Sequence, residues 1–122
     1  MTDAEGPALQ PALQPEDKKL VTLARATRAR VGAAEGAAIR DADGRTYAAA
    51  TVDLPSLQVT ALQACVAMAV ASGVNGLEAA VLLTEADEPT APDLAALRDL
   101  GGAAVAVHVG DAKGAIHRTV TT

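Results

Sequence analysis

Residues 61–83, ALQACVAMAVASGVNGLEAAVLL, decide how this chain folds. The first half is apolar nearly all round, and Gln63 is its one polar interruption before Ser72. A helix without a polar face is buried on more than one side. The second half ends in a short apolar run, residues 79–83, which is typical of a strand buried on both faces. The stretch therefore predicts a buried helix followed by a buried strand.

The signals on either side extend this prediction. We expect the helix to span residues 57–72, with Ser56 as its cap and Gly73 at its end. Before it, residues 36–40 and 45–50 flank the segment Asp-Ala-Asp-Gly, which predicts a β-hairpin with a tight turn.

The rest of the chain supplies two more helices and two more strands. The first helix follows Pro15 and two acidic residues, and its buried stripe is predicted to contain Leu20, Leu23, Ala24, Thr27 and Val31. A short helix begins at Thr90 or Asp93, with Leu94, Leu97 and Leu100 facing inward. Strands are predicted over residues 103–109 and 115–121.

The resulting order is α-β-β-α-β-α-β-β. A helix between the third and fourth strands implies parallel pairing there, whereas the two tight turns imply antiparallel hairpins. We therefore predict an α/β fold, with a five-stranded mixed sheet inside a three-layer α-β-α sandwich. A chain of 122 residues is long enough to form one such domain.

Composition excludes several classes of function. With a net charge of −5 and a pI near 4.8, the chain is a poor general binder of nucleic acids or anionic membranes. One cysteine permits no intrachain disulfide, and no secretory leader pattern opens the sequence. We expect a cytoplasmic protein without a membrane span.

Residues 1–15 contain Pro-Ala-Leu-Gln twice and end in a further proline. This density of proline favours an extended, solvated chain, so we predict a disordered tail over 1–15 and a folded domain over 16–122. The alternative, a proline-rich docking ligand, lacks a P-x-x-P match.

Two charged clusters are open to two interpretations. The outer face of the first helix is basic: Lys18, Lys19, Arg25, Arg28 and Arg30. It is either a solvated face or a patch for RNA or an acidic partner, although no aromatic residue is present for base stacking. The second cluster is acidic: Glu85, Asp87, Glu88, Asp93 and Asp99. It is either a solvated rim or a contact for the basic helix of a neighbouring subunit or another protein.

Several short motifs resemble those of a known family. Gly36-Ala37-Ala38 followed by Asp43-Gly44-Arg45 resembles G-A-A-x-x-x-x-D-G-[KR]. Thr51-Val52-Asp53 falls where that family has N-[VI]-E, and residues 88–93 align with S-P-C-x-x-C. Together with the element order, these segments make residues 20–120 similar to the cytidine deaminase family.

That resemblance implies a zinc site whose ligands this chain lacks. The family holds Zn²⁺ with one Cys or His from the central helix and two Cys from the start of the next, beside a Glu that moves protons. In this chain the ligand positions fall on Leu62, Thr90 and Asp93, and the position of the Glu falls on Ala64. A shift of two residues places Thr60 and Leu62 there instead. Since Asp93 alone is of a zinc-ligand type, we expect no metal cofactor and no zinc-dependent deamination.

The substrate-binding positions are also changed. The family's base-packing Phe falls near Ala33, and the carboxylate that holds the ribose is retained only as Asp53, with Thr51 in place of the amide. Thr51 and Asp53 are therefore a vestigial substrate-binding pair. Asp53 could instead be a turn acid or a helix cap.

Three other residues could carry chemistry. Cys65 is predicted to be a small core hydrophobe, since a reactive thiol needs exposure and a nearby base. His108 and His117 are either surface or edge-strand residues, or two ligands of a metal site in which Asp111 is the third.

We therefore expect a catalytically inactive, cytidine deaminase-like protein. It would act by self-association, as a dimer or tetramer through the 57–72 helix, or by binding a protein partner. The alternatives are a nucleoside-binding protein without turnover and a divergent hydrolase that uses Asp93, Thr90 or a different metal.

Overall fold

The computed structural model describes residues 13–122. Its helices and strands, in chain order, are α1 (Pro15–Val31), β1 (Gly36–Asp41), β2 (Thr46–Ala50), β3 (Val52–Leu54), β4 (Leu57–Val59), α2 (Ala61–Ala71), β5 (Leu77–Leu83), α3 (Ala91–Gly101), β6 (Ala106–Gly110) and β7 (Ile116–Thr121). The predicted tail lies outside the described residues up to position 12. Pro15, which we assigned to the tail, is the first residue of α1.

Five strands form one mixed sheet in the order β2-β1-β5-β6-β7. β5 and β6 are parallel and are joined through α3, while every other neighbouring pair in this sheet is antiparallel. The predicted five-stranded mixed sheet is confirmed. Parallel pairing occurs only where a helix makes the crossover.

Helices cover both faces of the sheet, so the three-layer arrangement is also confirmed. On one face, Leu20 and Ala24 of α1 pack against Ala38, Val81 and Ile116. On the other face, the apolar core contains Leu62 and Cys65 of α2, Leu97 of α3, and Ile39 and Val107 of the sheet. A Cβ atom at Gly36 would collide with the backbone carbonyl of Ala24, so α1 approaches the sheet closely only because this residue is glycine.

The predicted start of the central helix is wrong. Residues 57–59 form β4, which pairs with β3 in a separate two-stranded hairpin, and Ser56 lies in its turn. The sequence V-D-L-P-S-L-Q-V alternates between apolar and polar residues on each side of Pro55, which is the period of a strand rather than a helix. α2 begins after Thr60, whose side chain accepts a hydrogen bond from the Gln63 N–H while the Gln63 side chain accepts one from the Thr60 N–H. This Thr-x-x-Gln capping box marks the true start.

Candidate functional site

The N-termini of α2 and α3 meet at one corner of the molecule. Thr60 caps α2 and Thr90 caps α3, and Asp93 lies in the first turn of α3. The Thr60 hydroxyl donates a hydrogen bond of 2.6 Å to Oδ1 of Asp93. The Asp93 N–H in turn donates to the Thr90 hydroxyl over 3.2 Å. We call Thr60, Thr90 and Asp93 the polar corner.

Asp93 is almost completely buried, with 2% of its surface exposed. Neither interpretation of the acidic cluster, a solvated rim or a contact for a basic helix, fits this buried residue. Its carboxylate lies in the first turn of a helix, where the positive end of the helix dipole and the Thr60 hydroxyl stabilise negative charge. Asp93 is therefore fixed in position by groups that compete with any external ligand.

Thr51 and Asp53 lie beside this corner. Together with Val52, Gln58, Val59 and Thr60 they line a cleft of about 260 Å³. Asp53 is exposed and accepts a hydrogen bond of 3.3 Å from the Gln58 side chain across the β3–β4 hairpin. The two predicted substrate-binding residues thus share one cleft with Thr60.

A second set of polar residues continues from Thr51. The Glu35 N–H donates to the Thr51 hydroxyl over 3.0 Å, and the Glu35 carboxylate accepts a 2.7 Å hydrogen bond from the Thr84 hydroxyl. Thr84 follows directly after β5. Glu35 and Thr84 could not be identified from the sequence, because partners 49 residues apart have no local signal. A polar residue at the carboxyl end of a buried strand is the one feature that could have identified Thr84.

Leu62 and Ala64 do not line this cleft. Leu62 is completely buried in the core on the α2 side of the sheet, and Ala64 is half-buried. Thr60, two residues before Leu62, is the α2 residue that contacts Asp93. At the start of α2 it is therefore Thr60, and neither Leu62 nor Ala64, that reaches the polar corner.

The side chains of the polar corner do not fit a zinc ion. Zinc sites in proteins use thiolate, imidazole or carboxylate ligands, and a catalytic site needs three of them. The corner offers two neutral hydroxyls and one carboxylate, which is already bonded to Thr60. Over residues 13–122, moreover, no three His, Cys, Asp or Glu side chains converge as a metal site requires.

The two histidines do not come together, so the proposed pairing of His108 with His117 is wrong. His108 lies opposite Thr119, and the register shifts between Val109 and Gly110, which leaves His117 outside the ladder and exposed. The Asp111 carboxylate accepts two backbone N–H groups of its own turn.

His108 is buried, contrary to the surface position that we considered. Its Nδ1 lies 2.9 Å from the Thr119 hydroxyl, and its Nε2 lies 3.0 Å from Oδ2 of Asp17 in α1. Oδ1 of Asp17 accepts a hydrogen bond of 3.0 Å from Arg40. This chain of contacts, from Arg40 through Asp17 and His108 to Thr119, is called the α1 network below.

Cys65 is a core residue, as predicted. Its side chain is fully buried, and this burial raises the pKa of the thiol to about 12. A thiol that stays protonated at neutral pH is neither a nucleophile nor a metal ligand.

The mixed sheet and its helix layers define the class of this protein as a three-layer α/β/α sandwich. A family model described as "Cytidine deaminase-like" matches residues 13–114. The chain therefore belongs to the cytidine deaminase-like family. No curated protein sequence matches it.

Solved cytidine deaminases share the fold at low sequence identity. The enzyme from Burkholderia pseudomallei is 21% identical, with a TM-score of 0.74 over 85% of this chain and 91% of that one. The Mycobacterium leprae enzyme is also 21% identical, with a TM-score of 0.69 over 88% and 94%. The Bacillus anthracis enzyme is 15% identical, with a TM-score of 0.60 over 88% and 84%. Identities this low establish the shared fold and do not establish the activity. Within residues 13–122, no helix is both long enough and apolar enough to cross a membrane.

Proposed function

We propose that this protein is a catalytically inactive member of its family that acts through self-association. The polar corner carries this proposal, because its two hydroxyls and one carboxylate stand at positions where the resemblance implies zinc ligands. In the shifted register, Thr60-Ala61-Leu62 keeps the central alanine of the C-A-E motif and loses both functional residues.

The group that would transfer protons is lost together with the zinc ligands. Leu62 has no ionisable group, and neither has Ala64, the candidate in the unshifted register. A water that no metal activates has a pKa near 15.7, so it is not a nucleophile at neutral pH. The corner therefore lacks both the group that would activate water and the group that would carry its proton.

The exposed surface of α2 supports the association. Ala67, Met68, Val70 and Ala71 are exposed, and α2 contains no charged residue. Two copies of a chain with a net charge of −5 repel each other in general, and they approach most easily where their surfaces are uncharged. An exposed apolar surface of this kind is a frequent feature of protein interfaces.

Zinc content and cytidine deamination, measured together on purified protein, test the loss of catalysis. We expect substoichiometric zinc after expression in zinc-supplemented medium and no conversion of cytidine, with the Mycobacterium leprae enzyme as the positive control. Stoichiometric zinc together with turnover would contradict the proposal. The same elemental analysis detects any other bound metal and so addresses a divergent hydrolase.

A matched variant tests whether these positions account for the loss of zinc binding. Replacing Thr60→Cys, Thr90→Cys and Asp93→Cys at the corner, and Leu62→Glu in the core beside it, restores the residue types that the resemblance implies. We expect this variant to bind zinc when the parent does not. If the variant is folded and still fails to bind zinc, the assignment of these four positions is wrong.

Light scattering tests the association. We expect the parent protein to be a dimer or tetramer at tens of micromolar. A strict monomer at that concentration would contradict self-association and leave the loss of catalysis unaffected.

A second candidate function, nucleoside binding without turnover, is favoured by the cleft at Thr51 and Asp53. Its volume of about 260 Å³ lies below the roughly 300 Å³ at which ligand pockets begin, so it suits the hydroxyls of a sugar better than a whole nucleoside. Calorimetric titration with cytidine and uridine tests this, with Asp53→Ala as the control. The absence of heat at millimolar ligand ends this candidate.

A further inference from the structure

The N-terminal Pro-Ala-Leu-Gln repeat is anchored to the domain through its second copy. The two copies are residues 7–10 and 11–14. Leu13, the leucine of the second copy, falls inside the segment that we predicted to be disordered, yet it is partly buried and packs against the core between α1 and the sheet. Leu9 is the leucine of the first copy. An apolar side chain that can make a contact of the same kind therefore lies four residues earlier in the chain.

An apolar groove lies between α1 and β2, which is an edge strand of the main sheet. The groove has a volume of about 330 Å³ and is lined by Lys19, Thr22, Leu23 and Thr46. The stem of a lysine adds apolar surface beside the leucine. Leu23 belongs to the stripe of α1 that the sequence predicts to be buried, but it is 36% exposed. We call this feature the α1–β2 groove.

The α1–β2 groove lies within reach of Leu9. Thr46 pairs with Arg40, and the Arg40 guanidinium contacts Asp17 in the first turn of α1. The groove is therefore near the end of α1 at which the chain enters from Leu13. A proline-rich chain in the polyproline II conformation rises about 3.1 Å per residue, so Leu9 can lie roughly 12 Å from Leu13. This distance is sufficient for Leu9 to enter the groove.

A basic residue follows the groove along the same side of α1. Lys19, Leu23 and Arg30 are separated by four and seven residues, so they share one face of the helix, and all three are exposed. Leu23 and Arg30 are about 10 Å apart along the helix axis. Glu5 precedes Leu9 by four residues, or roughly 12 Å of polyproline II chain. When Leu9 occupies the groove, an extended segment thus brings Glu5 close to Arg30.

The charges of this face of α1 and of the N-terminal segment are complementary. Within residues 13–122, the basic partners of the ion pairs are Arg40, His108 and Arg118. The exposed charges of Lys19 and Arg30 are not used in those pairs. Residues 1–12 carry two acidic side chains, Asp3 and Glu5, and no lysine or arginine.

We propose that residues 1–12 fold back along α1 as an intramolecular strap, with Leu9 in the α1–β2 groove and Glu5 beside Arg30. The covalent link to α1 keeps the strap at a high effective concentration near the groove, so that even a weak contact is populated. The prolines stiffen the segment and lower the entropy that docking costs. The strap covers part of the basic face of α1, so an RNA or an acidic protein has to displace it before binding there.

Paramagnetic relaxation measures the direction in which the segment runs. A nitroxide is attached to Ala4→Cys in the ¹⁵N-labelled full chain, and the native Cys65 does not react because it is fully buried. We expect the backbone amide signals of Ala26 and Arg30 to be broadened more than that of Lys19 near the start of α1. A segment that extends into solvent gives the opposite order, because its label is nearest to the point of attachment. That order would overturn the proposal.

Substitutions within the segment test the contact of Leu9. In the labelled chain, Leu9→Ser should lower the ratio of docked to free strap by about tenfold, as the loss of one buried leucine does, and so weaken the broadening at Ala26. Ala8→Ser is the matched control and should leave the broadening unchanged. Both positions precede the described domain, so neither change should affect its folding. Undiminished broadening in the Leu9 variant would show that this leucine does not occupy the groove.

Reversal of the charges tests the contact between Glu5 and Arg30. At low salt, Arg30→Glu should reduce the ratio of docked to free strap by about threefold, which is the effect of one exposed ion pair. Adding Glu5→Lys to the same chain should restore the ratio. If the reversed pair docks no better than Arg30→Glu alone, Glu5 is not the partner of Arg30.

A mixing experiment distinguishes a strap within one chain from a contact between two copies. ¹⁵N-labelled protein without a nitroxide is mixed with nitroxide-labelled protein at natural isotope abundance. An intramolecular strap gives no broadening at Ala26 in this mixture. Broadening there would show that the segment of a second copy occupies the groove, and it would overturn the proposal. Since α1 and α2 lie on opposite faces of the sheet, the strap does not depend on the proposed self-association through α2.

Discussion

The helices on the two faces of the sheet differ in the way their outer surfaces meet the solvent. The outer face of α1 carries five basic side chains, and beneath its first turn lies the α1 network. α2 carries no charge, and its exposed side chains are alanine, valine and methionine. The outer face of α1 is thus mainly charged, although Val31 at its end is exposed, whereas the exposed face of α2 is apolar throughout and can be covered by another molecule.

This difference separates residues that hold the fold from residues that are free for association. Asp17 is 9% exposed and connects α1 to β1 and, through His108, to β6. Met68 and Val70 are 38% and 56% exposed and contribute little to their own domain. Substitutions on the α1 side should therefore change stability, and those on the α2 surface should change assembly.

Removing the carboxylate of Asp17 should have the largest effect on the free energy of unfolding. Asp17→Ala removes the hydrogen bonds that its carboxylate makes with His108 and with Arg40, which keeps Glu78 as a partner. At about 1.5 kcal/mol for each hydrogen bond to a charged group, we expect a loss of about 3 kcal/mol. Urea denaturation measures the free energy of unfolding. Glu16→Ala, an exposed acid in the same turn, serves as the control and should change it by less than about 0.5 kcal/mol. Equal losses in both variants would show that the α1 network does not anchor the helix.

Removing the hydroxyl of Thr60 should have an intermediate effect on the free energy of unfolding. Thr60→Ala deletes the helix cap of α2 and the hydrogen bond to the buried Asp93 carboxylate, so we expect a loss of about 2 kcal/mol. Thr60→Ser keeps both contacts and should lose much less. Thermal and urea unfolding compare the two variants. A serine variant as unstable as the alanine variant would mean that the methyl group, rather than the hydroxyl, matters at this corner.

Placing a charge on the α2 surface should barely change stability. Val70→Asp is expected to alter the free energy of unfolding by about 0.5 kcal/mol or less, because the side chain is more than half exposed. It should nevertheless abolish the proposed self-association in light scattering, since it puts a charge into an apolar surface. Leu23→Asp on α1 is the control and should associate as the parent does. If both variants associate equally, α2 is not the interface.

Cysteines on the two sides of α2 should also differ in their reactivity. Of the four predicted effects this is the smallest. Cys65 should resist a disulfide reagent at pH 8, because burial raises its pKa to about 12 and keeps the thiol protonated. Ala67→Cys, one half-turn away on the exposed side, should react at the rate of a free thiol. Denaturant should make Cys65 react as well. Rapid labelling of native Cys65 would show that the core on this side opens readily.

Most of the fold could be predicted from local patterns. The β1–β2 hairpin was identified from Asp43-Gly44 in its turn, and α2 from its apolar run, in which Gln63 is the one polar residue. The β3–β4 hairpin was missed because its strands have three residues each, which is too short for alternation to outweigh the helical signal that follows. The capping box at Thr60 and Gln63 was the local signal that could have corrected the start of α2.

The residue types of the candidate site could be predicted from the sequence, but the contacts between these residues could not. The sequence showed that Thr90 and Asp93 stand where the resemblance implies cysteines. It did not show that Asp93 is buried or that Thr60, 33 residues earlier, is its partner. Likewise, nothing near His108 in the sequence indicates Asp17, which lies 91 residues away.

The sequence by itself determined the order of the three helices and of the five strands of the main sheet, and the residue types at the polar corner, because apolar period, turn chemistry and side-chain identity are local properties. Tertiary structure alone decided which distant polar groups meet, which histidine is buried and where apolar surface remains uncovered. These three features depend on how whole helices and strands pack against one another. Packing brings together residues whose local sequence gives no signal of their partners.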